Sequence, residues 1–103
     1  MTLSEFTKQL EKSGFPVAFL HFPKEEPHEP PFICYVIIDD NNFKADGKNY
    51  STTTNVQVEL YTLEKDLEAE SKVENILSEF PFEKDEGYLD SEKMYMVTYQ
   101  LTI

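Results

Sequence analysis

The sequence predicts an α+β domain in which a mainly antiparallel sheet of about five to six strands is flanked by two helices. Three observations favour this class: two stretches have helical spacing of apolar residues, several stretches alternate apolar and polar residues, and most strand connections have hairpin length. The predicted order of elements is α-β-β-β-β-α-β-β. Since 103 residues is the usual size of one domain, we assign residues 1–103 to a single domain.

The first helix is predicted over Thr2–Ser13. Thr2 and Glu5 form a T-x-x-E capping box, in which each side chain accepts a hydrogen bond from the other residue's backbone N–H. Gly14 suits the left-handed position that follows many helices. The apolar stripe of this helix consists of Leu3, Phe6 and Leu10.

The second helix is predicted from about Asp66, as the N-cap, to Phe80. Pro81 follows it directly and cannot continue a helix. Helical spacing then defines the apolar face of this helix, and the residues predicted to lie on it are Leu67, Val73, Ile76, Leu77 and Phe80.

The first strands lie on either side of a proline-rich loop at residues 23–31. Phe15–Phe22 is short and introduced by a proline, which is typical of an edge strand. Phe32–Ile38 is apolar at successive positions, which predicts a central strand covered on both faces. Asp39–Asn42 is predicted as a turn, and Asp46-Gly47 as the turn of a hairpin between residues 42–45 and 48–52.

Clear alternation marks the later strands. In Asn55–Thr62, the apolar Val56, Val58 and Leu60 share one face, and Gln57, Glu59 and Tyr61 share a wetter one. Phe82–Leu89 and Lys93–Ile103 are predicted as a final pair of strands. In the last strand, one face is predicted to carry Tyr95, Val97, Tyr99, Leu101 and Ile103, and the other Met94, Met96, Thr98, Gln100 and Thr102.

The charge balance narrows the classes of partner. Twenty Asp and Glu residues against nine lysines give a formal net charge of -11, which repels phosphate backbones and anionic membranes. We therefore expect neither sequence-specific nucleic-acid binding nor membrane binding, although net charge also simply keeps small proteins soluble. The chain has one cysteine and no signal-like N-terminus, so we expect a soluble intracellular protein.

Residues with catalytic or metal-binding potential are few. Cys34 lies within a strand without a basic neighbour, and we interpret it as a buried structural thiol. Asp39–Asn42 lacks the ligand order of a calcium loop. A zinc site needs three or four ligands held at fixed geometry, so we interpret the histidines and acids of the proline-broken loop as solvated. We predict no metal, no cofactor and no enzymatic activity; the histidines and acids concerned are His21, Glu25, Glu26, His28 and Glu29.

Apolar residues at predicted outer positions indicate a protein interface. Methionine and aromatic residues are enriched in interface cores, although a strand covered by helices on both faces would show the same pattern. The strand at Phe15 and the predicted hairpin are candidate edges for pairing with a neighbouring subunit. The candidate interface residues are Phe43, Tyr50, Glu59, Tyr61, Met94 and Met96.

Most of the chain resembles small tail-completion proteins of siphophages and of prophages of Gram-positive bacteria, the tail terminators and head-to-tail joining proteins. The resemblance includes the opening helix and the proline-rich loop, and it extends to the last strand. The segments that carry it are Gly14–Ala18, Pro31–Tyr35, Asn42–Tyr50, Val56–Thr62 and Ser91–Tyr95.

The resemblance implies an α+β protein that forms a ring, commonly a hexamer, on the end of the tail tube. Such a ring stops tube polymerisation and contacts the head-connector proteins, so the implied location is the host cytoplasm during assembly and then the virion tail. An acidic lumen would repel passing DNA, a hypothesis that reversal of Glu59 to Lys would test. The alternatives are a small acidic DNA-mimic inhibitor and a small enzyme.

Overall fold

A computed structural model describes residues 1–22, 28–45 and 48–103, with backbone alone for residues 39–45 and 48–52. It is an α+β fold with two helices and a five-stranded, mostly antiparallel sheet, as predicted. The elements in chain order are α1 (Leu3–Glu11), β1 (Val17–Phe19), β2 (Phe32–Ala45), β3 (Lys48–Thr62), α2 (Leu67–Ile76), β4 (Phe82–Leu89) and β5 (Met94–Thr102).

The strands lie in the order β1-β2-β3-β5-β4. β1 is the edge strand that the sequence predicts, but it has only three residues and runs parallel to β2, with Val17 opposite Ile33. All other neighbouring strands are antiparallel. β3 is therefore the centre of the sheet, paired with β2 on one side and with β5 on the other.

The turn predicted at Asp39–Asn42 is wrong, because β2 continues through these residues and pairs with β3 as far as Ala45 opposite Lys48. The register shifts between Ile37 and Asp39. Such a bulge absorbs an extra residue while the ladder of hydrogen bonds continues, and the ladder overrides the local turn preference of Asp and Asn. The hairpin is confirmed by its pairing, while Asp46-Gly47 lies outside the described residues.

The capping box of α1 is confirmed. The Thr2 hydroxyl oxygen accepts a hydrogen bond from Glu5 N at 3.1 Å, and Thr2 N donates to Glu5 Oε1 at 3.2 Å. The helix ends two residues earlier than predicted, with Lys12 as its C-cap. Gly14 follows with a φ of 86°, a left-handed conformation that glycine adopts without the steric cost of a side chain.

Asp66 caps α2 as predicted, since its carboxylate accepts a hydrogen bond from Ala69 N at 3.0 Å. The helix ends at Ile76, short of Phe80. The prediction that Leu67 lies on the apolar face is wrong, because this side chain is 69% exposed. Residues two positions apart on a helix point about 200° apart, so the burial of Ala69 turns Leu67 towards solvent.

Both helices pack on one face of the sheet, and the core lies between them and that face. The alternation predicted for β3 and β5 is confirmed, with apolar side chains of both strands buried there. The largest fully buried side chains are Tyr99, Phe6, Leu10, Ile33, Leu60, Leu77, Val56, Val58, Val73 and Val97.

The opposite face of the sheet carries no helix in the described part of the chain. The prediction that helices or other elements cover β2 on both faces is therefore wrong in the described structure, and Ile38 is 49% exposed. At the start of β2, aromatic side chains shield that side instead. Phe22 packs its ring edge-on against Phe32, with centroids 5.5 Å apart. In the ranges that the structure describes, no helix is long and apolar enough to cross a membrane.

Leu77→Ala tests the packing of α2. Leu77, the C-cap residue of α2, is fully buried, and removing three carbons from a core site costs about 2–5 kcal/mol of unfolding free energy. Leu67→Ala, on the exposed side of the same helix, should change it by less than about 0.5 kcal/mol. Urea unfolding followed by circular dichroism measures both. Equal losses for the two variants would contradict the packing described above.

Candidate functional site

The side of the sheet that carries no described helix, called the open face below, is the candidate functional site. Its side chains belong to the strand positions that alternate with the core residues, as the pairing register requires. The open face includes Phe32, Cys34, Val36, Gln57, Glu59, Tyr61, Glu83, Asp85, Met94, Met96 and Gln100.

Glu59, Tyr61, Met94 and Met96, all predicted as interface residues, lie on the open face, where Tyr61 is directly opposite Met96. The sequence leaves open whether the methionines belong to a core or to an interface. Since no described helix covers them, they do not form a second core. The other two candidates, Phe43 and Tyr50, belong to β2 and β3, but their side chains lie outside the described residues.

Glu59 is the centre of a hydrogen-bond network across β3 and β5. Its Oε1 accepts a hydrogen bond from the Tyr61 hydroxyl at 2.8 Å, and its Oε2 accepts one from Gln57 Nε2 at 2.9 Å. Gln57 Oε1 in turn accepts from Gln100 Nε2 at 3.0 Å. The ion pairs within the described residues do not include Glu59, so its hydrogen-bond donors there are neutral.

The surroundings of Glu59 are poorly solvated. Burial, and secondly the Glu59 charge, raise the pKa of the Cys34 thiol to about 11. Burial also raises the pKa of Tyr61 well above its ordinary value, and its hydrogen bond to Glu59 adds to the increase. Both neighbours therefore stay neutral beside the carboxylate. The Cys34 side chain is only 4% exposed, as expected for a structural thiol.

Aromatic rings adjoin the carboxylate where β2 begins. The rings of Phe32 and Tyr61 are stacked, with centroids 4.9 Å apart and an interplanar angle of 21°. The Phe22 ring meets the Phe32 ring edge-on, and the centroids of the His28 and Phe22 rings lie 4.2 Å apart. A carboxylate beside stacked rings suits a cationic side chain, which gains both an ion pair and a cation–π contact.

A second group of charged residues lies on the helix-covered side, where α2 meets β4. Glu70 is only 2% exposed and is paired with Lys84 at 2.8 Å and Lys65 at 2.9 Å. Lys65 Nζ donates a hydrogen bond to Glu70 Oε1 at 3.0 Å. Its contact with Glu70 Oε2 is an ion pair without hydrogen-bond geometry. Two cations thus compensate one buried carboxylate.

The same network continues to two further carboxylates. Glu74 accepts hydrogen bonds from Lys84 at 2.8 Å and from the Tyr99 hydroxyl at 2.9 Å. Glu86 accepts from Lys65 at 3.0 Å and also from Tyr95. These groups bond to one another, and none of the carboxylates lines the three surface clefts described. We interpret the network as a structural link between α2 and the sheet.

Sequence reasoning missed this network because acidic residues are so frequent in the chain. A signal was nevertheless present. Glu70 and Glu74 are four residues apart on α2, and therefore on one face. Lys84 and Glu86 are two residues apart on β4, and therefore also on one face.

Neither similarity to known proteins nor the geometry of potential metal ligands assigns a function to the open face. No protein-family model matches the chain, and no curated protein matches it significantly. Within the described residues, no group of three or more potential ligands is placed to hold a metal ion. Of the histidine and glutamate set considered from the sequence, Glu25 and Glu26 lie outside those residues.

The ion network predicts a loss of stability in acid. Hydrogen bonds from Tyr95 and Lys65 hold the pKa of Glu86 below its ordinary value. Burial opposes the same effect at Glu74, but hydrogen bonds from Lys84 and Tyr99 outweigh it and lower that pKa too. A carboxyl whose folded-state pKa is lowered contributes stability above the ordinary value of 4.5, and this contribution disappears as the pH falls through the folded value.

We expect the unfolding free energy to fall below about pH 4.5, and to fall less steeply in Glu74→Gln. Urea titrations at successive pH values measure the slope. Glu68→Gln, at an exposed position of the same helix, serves as the matched control and should keep the wild-type slope. An unchanged slope in Glu74→Gln would refute the coupling.

Cys34 should be unreactive in the folded protein. It is buried and its pKa is raised, so the thiolate that attacks disulfide reagents is scarce and shielded. We expect labelling by 5,5′-dithiobis(2-nitrobenzoic acid) at neutral pH to be at least about 100-fold slower than in urea-unfolded protein, because labelling requires opening of the fold. Rapid labelling of native protein would contradict the burial of this thiol.

Proposed function

We propose that this chain is a non-enzymatic structural protein of phage or prophage assembly, which forms a ring that caps the tail tube and joins the tail to the head. The observation that carries the proposal is the open face. It combines methionines, stacked aromatic rings and a partly buried carboxylate on a sheet side without a described helix. Such a surface suits contact with another protein.

The long hairpin supports assembly as well. β1 pairs with β2 only as far as Tyr35, and pairing of the C-terminal chain with β3 reaches Thr54, which exchanges two backbone hydrogen bonds with Ile103. From Asn41 to Ala45, β2 therefore has β3 as its partner but lies beyond both neighbouring strands, over about 15 Å at strand spacing. A two-stranded ribbon is marginally stable alone, so docking on a neighbouring subunit would stabilise this one.

The proposed partners are further copies of the chain, the tail-tube protein and the head-connector proteins. The proposed location is the host cytoplasm during assembly and the virion tail afterwards. The acids exposed on β4 suit a lumen that repels DNA better than Glu59 does, because Glu59 is partly buried among hydrogen-bond donors. Those acids of β4 are Glu83 and Asp85.

The ion network bears on the alternative of a DNA-mimic inhibitor. A mimic needs free carboxylates in rows that imitate phosphates. Glu70, Glu74 and Glu86 are instead paired with Lys65 and Lys84. Lysines already compensate these carboxylates, so they are not free to imitate phosphates, which favours the assembly proposal over the inhibitor.

Light scattering across a concentration series, with negative-stain images, tests the proposal. We expect a closed ring of several 12.0 kDa subunits with a central hole. Paired changes Phe43→Ser and Tyr50→Ser in the hairpin should reduce ring formation at least about tenfold if they remove an interface anchor. Leu67→Ser, at an exposed site on α2, is the control. A strict monomer at all concentrations would count against the ring and favour the inhibitor.

A further inference from the structure

We infer that the open face binds a segment of a different protein through an arginine that pairs with Glu59 and lies against the Phe32–Tyr61 ring pair. This inference deepens the proposed function by naming the chemistry of the partner surface. It rests on that function only in assigning the partner to the tail tube or the head connector.

Glu59 has unused acceptor capacity. A carboxylate has about four acceptor positions, and the described contacts use one on each oxygen, from Tyr61 and Gln57. Both contacts come from residues of the same strand, which hold the carboxylate on the sheet. One acceptor position remains on each oxygen, which matches the two parallel N–H groups of a guanidinium fork.

The stacked rings supply the second contact. Phe32 and Tyr61 lie face to face, and the Tyr61 hydroxyl is bonded to Glu59, so ring and carboxylate are adjacent. A guanidinium is planar and weakly hydrated, and it stacks on aromatic faces. An ammonium would form the ion pair but would match the flat ring and the paired oxygens less well, which favours arginine over lysine.

Charge complementarity points to a partner other than a second copy. Among the described residues, the charged side chains on the open-face positions of the strands are Glu59, Glu83 and Asp85, all acidic. Two copies packed face to face would bring these carboxylates together at a net charge of -11 each. The chain also contains no arginine.

The lysines whose side chains are described lie away from the open-face strand positions, while the side chains of Lys24, Lys44 and Lys48 lie outside the described part of the chain. Lys8 belongs to α1 and Lys72 to α2. Lys65 and Lys84 are engaged with the glutamates of the ion network. The face thus lacks a described cation of its own, and a basic residue from a partner would supply it.

The test uses two labelled synthetic peptides, each alternating valine and threonine around one central residue. That residue is arginine in one peptide and citrulline in its twin, which keeps the shape and loses the charge. Fluorescence anisotropy measures binding to the full chain. We expect the arginine peptide to bind at least about tenfold more tightly, as a charge-assisted pair provides.

Variants locate the site. Glu59→Gln should abolish the preference for arginine over citrulline, while Glu68→Gln, an exposed acid on α2, should leave it unchanged. Phe32→Leu should weaken binding of the arginine peptide about threefold or more by removing one ring. Circular dichroism of each variant confirms that it is folded, and light scattering of the same samples reports ring formation separately.

Three outcomes would overturn the inference. They are equal binding of both peptides, an unchanged preference in Glu59→Gln, and loss of binding on self-association, which would assign the face to a second copy. A monomer that still prefers arginine at Glu59 would overturn the ring alone, and a ring without that preference would overturn this inference alone.

Discussion

The register between β2 and β3 is the constraint on which the rest of the structure depends. β3 is the central strand, and its pairing places Tyr35 opposite Val58 and Cys34 opposite Glu59. Because side chains alternate along a strand, a slip of one residue would exchange the two faces. The apolar residues of β3 would then meet water, and Glu59 would be buried under the helices. Core and open face are thus two consequences of one alignment.

The helices reinforce that alignment in different ways. α1 brings Phe6 against Tyr35, with ring centroids 6.4 Å apart at 75°, so its contribution is mainly apolar and aromatic. α2 adds an electrostatic link, because the buried Glu70 needs Lys84 of β4 beside it. Removing one partner of such a pair leaves an uncompensated charge, which is costly. The network therefore makes the position of α2 depend on the strand furthest from β1.

The acidity of the chain has more than one physical consequence. Part of it is internal, in carboxylates that pair with lysines under α2. Another part lies on β4, where Glu83 and Asp85 face solvent and would repel phosphate. Glu59 differs from both, since neutral side chains hold it partly buried beside stacked rings. A single value of net charge hides these differences, which decide whether an acid stabilises the fold, repels DNA or binds a partner.

Local chemistry was enough to predict the helix caps at Thr2 and Asp66 and the buried faces of β3 and β5. Each depends on neighbours within four residues or on strict alternation. Contacts between distant segments decided the rest. Pairing with β3 extended β2 through Asp39–Asn42, where the sequence predicts a turn. The packing of α2 around Ala69 left Leu67 exposed. Local sequence patterns could not predict the open face either, because a strand with a helix packed on it and a strand without one can have the same apolar pattern. Only the placement of both helices on the same side of the sheet leaves Glu59 and the methionines facing outwards.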